Sequence, residues 1–426
     1  MTDLDRSQNR TENAAKPTAS ESNGEITDVT DVAIIGAGPY GLSLAAHLNA
    51  RGVPFRQFGR PMEMWETGMP RGMLLKSQGF ATNLSAPDGH HTLREFCGSS
   101  GREYADTRTP VPLRTFLEYG HWFRREVVPG PCEAPVRRLT WRAGGDPGYR
   151  LALTDGSAVL AKRVVIATGL TNFAFVPQTL ATLPPTLCSH TSTLPPLTTF
   201  RGQKIVVVGA GQSGLETAVL LAERGIDVTL ACRESSLIWN DDPLPVRRTR
   251  LARLREPEVG LGSGWTTWFY SERPYWFHRL PAPIRANRAV NALGPAGAWW
   301  LHDRYRGRVP TLLGHIVVWA TPRGDGVTLT LAHAGGTREI EADHVIAATG
   351  YRTDFSKLSF VDERLRSRVR TLAGGPVLGR DFQSTVPGLY FAGPMTAASF
   401  GPVMRFVYGA KYAAPALAGH LAEASV

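Results

Sequence analysis

At Asp31 the chain changes from polar to apolar. Val32 to Ile35 is a short β-branched run without alternation, the pattern of a strand buried on both faces. It ends in the turn Gly36-Ala-Gly-Pro-Tyr-Gly41, and Leu42 to Ala50 then carries apolar residues at helical spacing. The same order recurs at Ile205 to Val208, followed by Gly209-Ala-Gly-Gln-Ser-Gly214 and a second helix. Each copy later enters an antiparallel-looking stretch and a strand closing in Ala-Thr-Gly. The first runs from Tyr149 to Gly156 and then Val164 to Gly169, the second from Val327 to Leu331 and then Val345 to Gly350. From the first glycine to the closing one the copies span 133 and 141 residues, Gly36 to Gly169 and Gly209 to Gly350. Two chance turns would not share that context, so the pattern predicts an α/β fold of two related Rossmann-like dinucleotide-binding domains.

Domain limits follow from the composition between these copies. Residues 1–27 are rich in Ser, Thr, Asn, Glu and Lys without apolar periodicity, and are expected to be a disordered tail. Residues 28–199 are read as the first part of the first domain, ending in a Pro- and Thr-rich linker from Pro184 to Phe200. Residues 200–342 form the second domain. Residues 343–426 are too few for a third, and are expected to return to the first through the strand and turn Gly388 to Gly393 and a helix from Val403 to Glu423. The first domain is therefore discontinuous.

Composition narrows the function classes. With 42% hydrophobic and 20% charged residues the chain reads as soluble and globular. No apolar run reaches the 18 residues of a membrane span, and the polar start lacks a secretory apolar core. Cys97, Cys132, Cys188 and Cys232 lie far apart. This excludes a zinc ribbon and a C-x-x-C dithiol reductase, and fits a reducing cytoplasm. The net charge of +10 is concentrated: Leu244 to Pro310 holds 12 Arg, no Lys and four acids, with five of the ten Trp. That segment is open to three readings: core and dimer contact, a membrane-surface rest, or a substrate wall where Arg285, Arg288 or Arg304 holds a carboxylate. It contains no nucleic-acid module, and charge alone would give only weak, salt-sensitive binding. No metal site is expected, because the adjacent His90 and His91 on a loop point apart.

The glycine turns carry the chemistry. In each, the first glycine (Gly36, Gly209) permits the tight turn and the second (Gly38, Gly211) lets a pyrophosphate approach the backbone. The third (Gly41, Gly214) lets the helix pack closely. Pro39, Gln212 and Ser213 open the two helices, whose N-termini present unpaired N–H groups to the diphosphate. An acid that would hold a ribose hydroxyl is missing after the next strand of the first unit, where Gly59 and Arg60 stand, with Glu63 nearby. In the second unit Arg233 takes that place, which suits a 2′-phosphate and favours NADPH.

The two-dinucleotide layout, the Gly-Ala-Gly-Pro-Tyr-Gly turn and the late Ala-Ala-Thr-Gly-Tyr together resemble the class B flavoprotein monooxygenases. Within that group the chain is most similar to the N-hydroxylating lysine and ornithine monooxygenases. The similarity is carried by Asp343 to Tyr351, with Ala347 where that branch has Leu or Phe, and by Gly72 to Lys76 and Arg114 to Tyr119. Ala81 to Ser85 is instead similar to the Thr-Asn-x-Ser of flavin monooxygenases that oxidise soft nitrogen and sulfur. A linker fingerprint of the class is matched at His190 but not at Pro184, Thr186 or Leu194, which places the Baeyer–Villiger subclass in doubt. Gly393-Pro394 departs from disulfide reductases, where Asp follows that Gly.

The resemblance implies FAD at the first turn and NADPH at the second, with Thr349, Gly350, Tyr351 and Gly393 closing around the cofactors. It implies monooxygenation of nitrogen, or oxidation of sulfur, through a C4a-hydroperoxyflavin, on a small amine or thioether. Asn83 would stabilise the oxygenated flavin, Lys76 and Gln78 would line the site, and Trp65 is a candidate to lie over the flavin edge. The alternative is an NADPH oxidase or reductase passing electrons to O2 or a protein partner.

Overall fold

The computed structural model describes residues 26–142, 148–245 and 247–424. The expected tail lies outside the described residues up to position 25, and the first strand begins at Ile26.

The first sheet is built around Ile26–Ile35. Its parallel neighbours are Phe55–Phe58 and Ala158–Ile166, with Ile34 opposite Gln57 on one side and Val165 on the other. Val32, Ala33 and Ile34 are fully buried, as the unalternating run requires of a central parallel strand. Tyr149–Leu153 and Val136–Trp141 extend the sheet antiparallel beyond Ala158–Ile166. Leu389–Phe391 pairs parallel with the far end of that same strand, so the C-terminal segment completes the first unit. The helix Pro39–Ala50 covers the sheet, and the last helix, Ala410–Glu423, packs against it. Two polar ties fix the return. Arg163 Nη1 donates to the Leu421 carbonyl at 2.6 Å, and the Tyr40 hydroxyl reaches the carbonyls of Met404 and Phe406 at 3.0 and 2.8 Å.

The second sheet is parallel throughout. Its order is Thr311–Leu312, Asp227–Ala231, Lys204–Val208, His344–Ala347, Cys188–His190. This corrects two of the limits read from composition. Cys188–His190 lies in the supposed linker, and His344–Ala347 in the segment assigned to the first domain, yet both belong to the second sheet. A three-residue edge strand among prolines leaves no periodicity to read. The helix Gln212–Ala222 covers this sheet. Its antiparallel companion is Ile316–Arg323, Gly326–His333 and Gly336–Ala342, whose alternating Val327, Leu329 and Leu331 bury against Val206, Val345 and Ala347.

Residues 241–310 form an insertion of short helices that leans on the C-terminal part of the first unit. Phe277 is fully buried against Gly401, and the His278 ring stacks on Phe400 at 5.1 Å. Its aromatic residues divide: Tyr270 and Phe277 are core, whereas Trp265 and Trp276 are more than half exposed. Among the described residues no helix is long and apolar enough to cross a membrane, and no cluster of His, Cys, Asp and Glu can hold a metal ion.

Candidate active site

Both glycine turns have the same internal geometry. A Cβ on Gly36 would lie 2.4 Å from the Ala167 carbonyl oxygen, and one on Gly209 would lie 2.5 Å from that of Ala348. These carbonyls belong to the two Ala-Thr-Gly segments, which is the physical reason each copy ends with that strand. The third glycines are equally confined: a Cβ on Gly41 or Gly214 would meet the carbonyl oxygen of Gly36 or Gly209 at 2.0 and 2.1 Å. The middle glycines differ. Gly38 has nothing within 4 Å of such a Cβ, and Gly211 only Pro295 at 3.7 Å. Each is the N-cap of its helix and lacks a side chain to cap it, so the space beside its Cα is left open at the helix start. Pro39 and Gln212 are the first helical residues, and Ser213 follows in the half-exposed first turn. The confined glycines and the open middle ones together fit a bound pyrophosphate at each turn.

Three segments meet between the two turns. The first is the loop Gly72 to Ser85 of the first unit. The second is the start of the helix Gln212–Ala222, and the third is Pro295 to Ala298 of the insertion. Glu216 joins them. It is 2% exposed, its Oε1 accepts from the Leu74 N–H at 2.8 Å, and its Oε2 from Gln212 Nε2 at 3.2 Å. Gln212 Oε1 in turn accepts from the Ala298 N–H at 2.7 Å. Burial pushes the Glu216 carboxyl up to about 7. Alongside, Lys76 Nζ donates to the Ala296 carbonyl at 2.7 Å. The residue as a whole is exposed, yet the protein around its ammonium desolvates it and lowers it to about 8.

The other expected residues are placed as follows. Gln78 Nε2 approaches Glu258 Oε1 of the insertion at 3.4 Å, and its own buried Oε1 accepts no hydrogen bond among the described residues. Asn83 holds its loop: Oδ1 accepts from the Leu93 N–H at 2.8 Å and Nδ2 donates to the Phe80 carbonyl at 3.1 Å, leaving one amide hydrogen. Trp65 sits edge-on to Phe116 at 4.7 Å, partly buried against the first core. The Arg233 side chain is 75% exposed, with Nε on Glu234 at 3.0 Å. Thr349 donates to the Phe175 carbonyl, and the Gly350 carbonyl accepts from the Phe175 N–H and from His190 Nε2, both at 2.9 Å. Tyr351 meets the His190 ring edge-on at 5.2 Å. Gly393, at φ +79°, faces the Tyr40 ring, where a Cβ would lie 3.3 Å away. Arg304 is engaged by both oxygens of Glu223 at 2.8 Å, so it is no free carboxylate holder; Arg285 Nη1 reaches the Ala398 carbonyl at 3.5 Å, and its buried Nε makes no hydrogen bond among the described residues.

Sequence reading missed Glu216 and Gln57, and met His190 only as part of a linker fingerprint. Gln57, 3% exposed, steadies the first turn through Nε2 on the Gly36 carbonyl at 3.1 Å. For Glu216 the signal was present: a lone acid in an otherwise apolar helix, Leu215 to Ala222.

Residues 30–259 match the model of the pyridine nucleotide-disulphide oxidoreductase family. The chain belongs to that family. Its fold within the family is that of the class B flavoprotein monooxygenases. The structure is similar to an ornithine N-hydroxylase of Kutzneria sp. 744, solved with reduced FAD, NADP+ and L-ornithine. The TM-score is 0.74 at 18% identity, covering 93% of this chain and 100% of that one. It is also similar to a FAD-bound cadaverine monooxygenase of Erwinia amylovora, with TM-score 0.72 at 19% identity over 92% of this chain and 94% of that one. Among curated proteins, the indole-3-pyruvate monooxygenase YUCCA1 of Oryza sativa subsp. japonica is 27% identical over 212 residues. That match spans 49% of this family member and 49% of the rice protein, about half of each.

Proposed function

We propose that the chain is an FAD-dependent monooxygenase that consumes NADPH and O2 and oxygenates the nitrogen of a small molecule. FAD lies at Gly36 to Gly41 and NADPH at Gly209 to Gly214. The reading rests above all on one observation: a single loop, Gly72 to Ser85, contacts the helix at the second turn through Leu74 and the insertion through Lys76 and Gln78. It is also anchored to the first helix, since the Ser85 N–H donates to Ser43 Oγ at 2.9 Å. Groups on this loop therefore stand where two nucleotides and a substrate would converge. When bound, the flavin supplies hydride acceptance and oxygen activation; the protein positions the reactants and keeps water out.

The loop's side chains support this division of labour. Lys76, lowered to about 8, releases or takes a proton near neutral pH more readily than an ordinary lysine. Asn83 keeps one amide hydrogen to donate. The fold-sharing N-hydroxylases favour an amine substrate, and the rice relative adds an α-keto acid to the candidates. An NADPH oxidase is the second reading, favoured by the engagement of both Asn83 side-chain polar atoms with the backbone of Phe80 and Leu93. The test is stoichiometry: FAD-loaded protein is given NADPH, O2 and a panel of amines, thioethers and α-keto acids. Oxygenated product matching NADPH consumed supports the monooxygenase. Peroxide matching NADPH with every substrate selects the oxidase, and absence of FAD overturns both.

A further inference from the structure

Beside the Gly72 to Ser85 loop, the insertion and Tyr408 line an open cleft of about 670 Å³, a size that suits a small organic ligand. It adjoins the loop at two points. Its Glu258 is the partner of Gln78, and its Tyr408 stands edge-on to Phe80 at 6.5 Å between ring centres.

The charges lining it are unequally engaged. Arg248 is fixed by the carbonyls of Ala252 and Glu256 at 2.8 and 2.9 Å. Glu272 is satisfied by Lys411 at 3.0 Å, by the Tyr408 hydroxyl at 2.9 Å and by the Tyr412 hydroxyl. Two cations are left over. Arg253, on the short helix Arg250–Arg255, is exposed, and its side chain makes no hydrogen bond or ion pair among the described residues. Arg273 lies over the Trp268 ring at 4.6 Å and donates only to the Glu272 carbonyl at 3.1 Å, with no carboxylate of its own. Val259 and Trp268 supply apolar wall between them. A guanidinium resting over an aromatic ring retains N–H donors beyond the one that Nη1 gives to Glu272, and these suit a planar oxyanion.

The geometry points to this cleft as the substrate site, taking a small carboxylate with an apolar body, its carboxylate on Arg253 and Arg273 and its other end toward Gln78. This rests on the monooxygenase reading for what happens next, but not for binding. It also moves the anion site away from Arg285, Arg288 and Arg304, the arginines singled out by sequence.

The test is equilibrium binding to the FAD-loaded protein without NADPH, followed by tryptophan fluorescence and calorimetry. The probes are octanoate and 4-phenylbutyrate, each against its neutral amide. Each acid is expected to bind about tenfold or more tightly than its amide, as a charge-assisted pair provides. The Arg253→Gln/Arg273→Gln double variant is expected to bind acid and amide alike, with FAD content and unfolding temperature showing that it is folded. Arg285→Gln should keep the preference. Failure of both acids to bind saturably, equal binding of acid and amide in the parent, or a preference that survives the double variant would overturn the assignment. A protein that binds the acids but turns NADPH only into peroxide keeps this site and loses the monooxygenase reading.

Discussion

Replacing Glu216 with Gln tests how the two units are joined. Every neighbouring donor points at this carboxyl: the Leu74 N–H and Gln212 Nε2 directly, with Ala298 N–H fixing the Gln212 amide from behind. A carboxyl offers an acceptor oxygen to each of the two donors. A Gln in its place presents one NH2 to a donor, and turning the Gln212 amide merely transfers the conflict to Ala298. Against this stands burial. Raising the carboxyl from 4.5 to about 7 means that ionised Glu216 costs the folded chain about 3 kcal/mol. The folded value lies above the unfolded one, so the stability is fully present below about 4.5 and is lost as pH rises through about 7.

Glu216→Gln stays neutral throughout, so subtracting its unfolding temperature from the parent's cancels every other titrating group. Arg304 and Glu223, the nearest charges, pair with each other in both proteins. The parent's margin over the variant should shrink by about 2–3 kcal/mol between roughly pH 5 and 8. At roughly 2–4 °C per kcal/mol for a unit of this size, that is about 5–10 °C in a scanning experiment. At pH 8 the variant leaves one donor unmet, a loss of about 1–3 kcal/mol at the start of the nucleotide-binding helix. The KM for NADPH should therefore rise about fivefold or more, with FAD content unchanged. Parallel pH curves for parent and variant would refute the buried titrating carboxyl, whatever happened to KM.

Three further outcomes follow from the turns and the loop. Gly211→Ala has room for its methyl group in the free protein, so it should fold normally yet weaken NADPH by about tenfold or more, read from the Kd; Gly214→Ala, 2.1 Å from the Gly209 carbonyl, should instead lower the unfolding temperature. Arg233→Ala should weaken NADPH about tenfold while leaving NADH nearly unchanged, and equal losses would remove the 2′-phosphate role. Asn83→Ala should retain flavin reduction but raise the peroxide formed per NADPH; because it also loses two loop hydrogen bonds, about 1–2 kcal/mol of stability should go with it.

The nucleotide-binding half of this molecule was legible because its constraints are local. Gly36 and Gly209 must be glycine because carbonyls of Ala167 and Ala348 press on them, and the chain records both members of each pair. Strand and turn are contiguous, so the order of residues carries the geometry. The C-terminal return was legible for the same reason, as a strand and a turn at Leu389 to Gly393. Where a constraint joins distant segments it left less trace. Cys188–His190 is a strand only because His344–Ala347 lies beside it, and Glu216 is an acid in an apolar helix only because Leu74 donates to it.

The insertion shows why a region of similar side chains resists the same treatment. Its arginines look interchangeable in sequence, twelve in one stretch, and the aromatic residues among them fit core, membrane or wall alike. Folding separates them by what else is in reach. Arg304 finds Glu223 and Arg248 finds two carbonyls, whereas Arg285 and Arg273 find one carbonyl each, Arg273 with a tryptophan face beside it, and the Arg253 side chain finds nothing among the described residues. An arginine with its hydrogen bonds already made cannot discriminate ligands, so the chemistry of the cleft is set by the partners that are missing. That property belongs to the folded arrangement alone. The first and third glycines of each turn, by contrast, are fixed by the carbonyl oxygens pressed against them, a constraint that the local order of residues already carries.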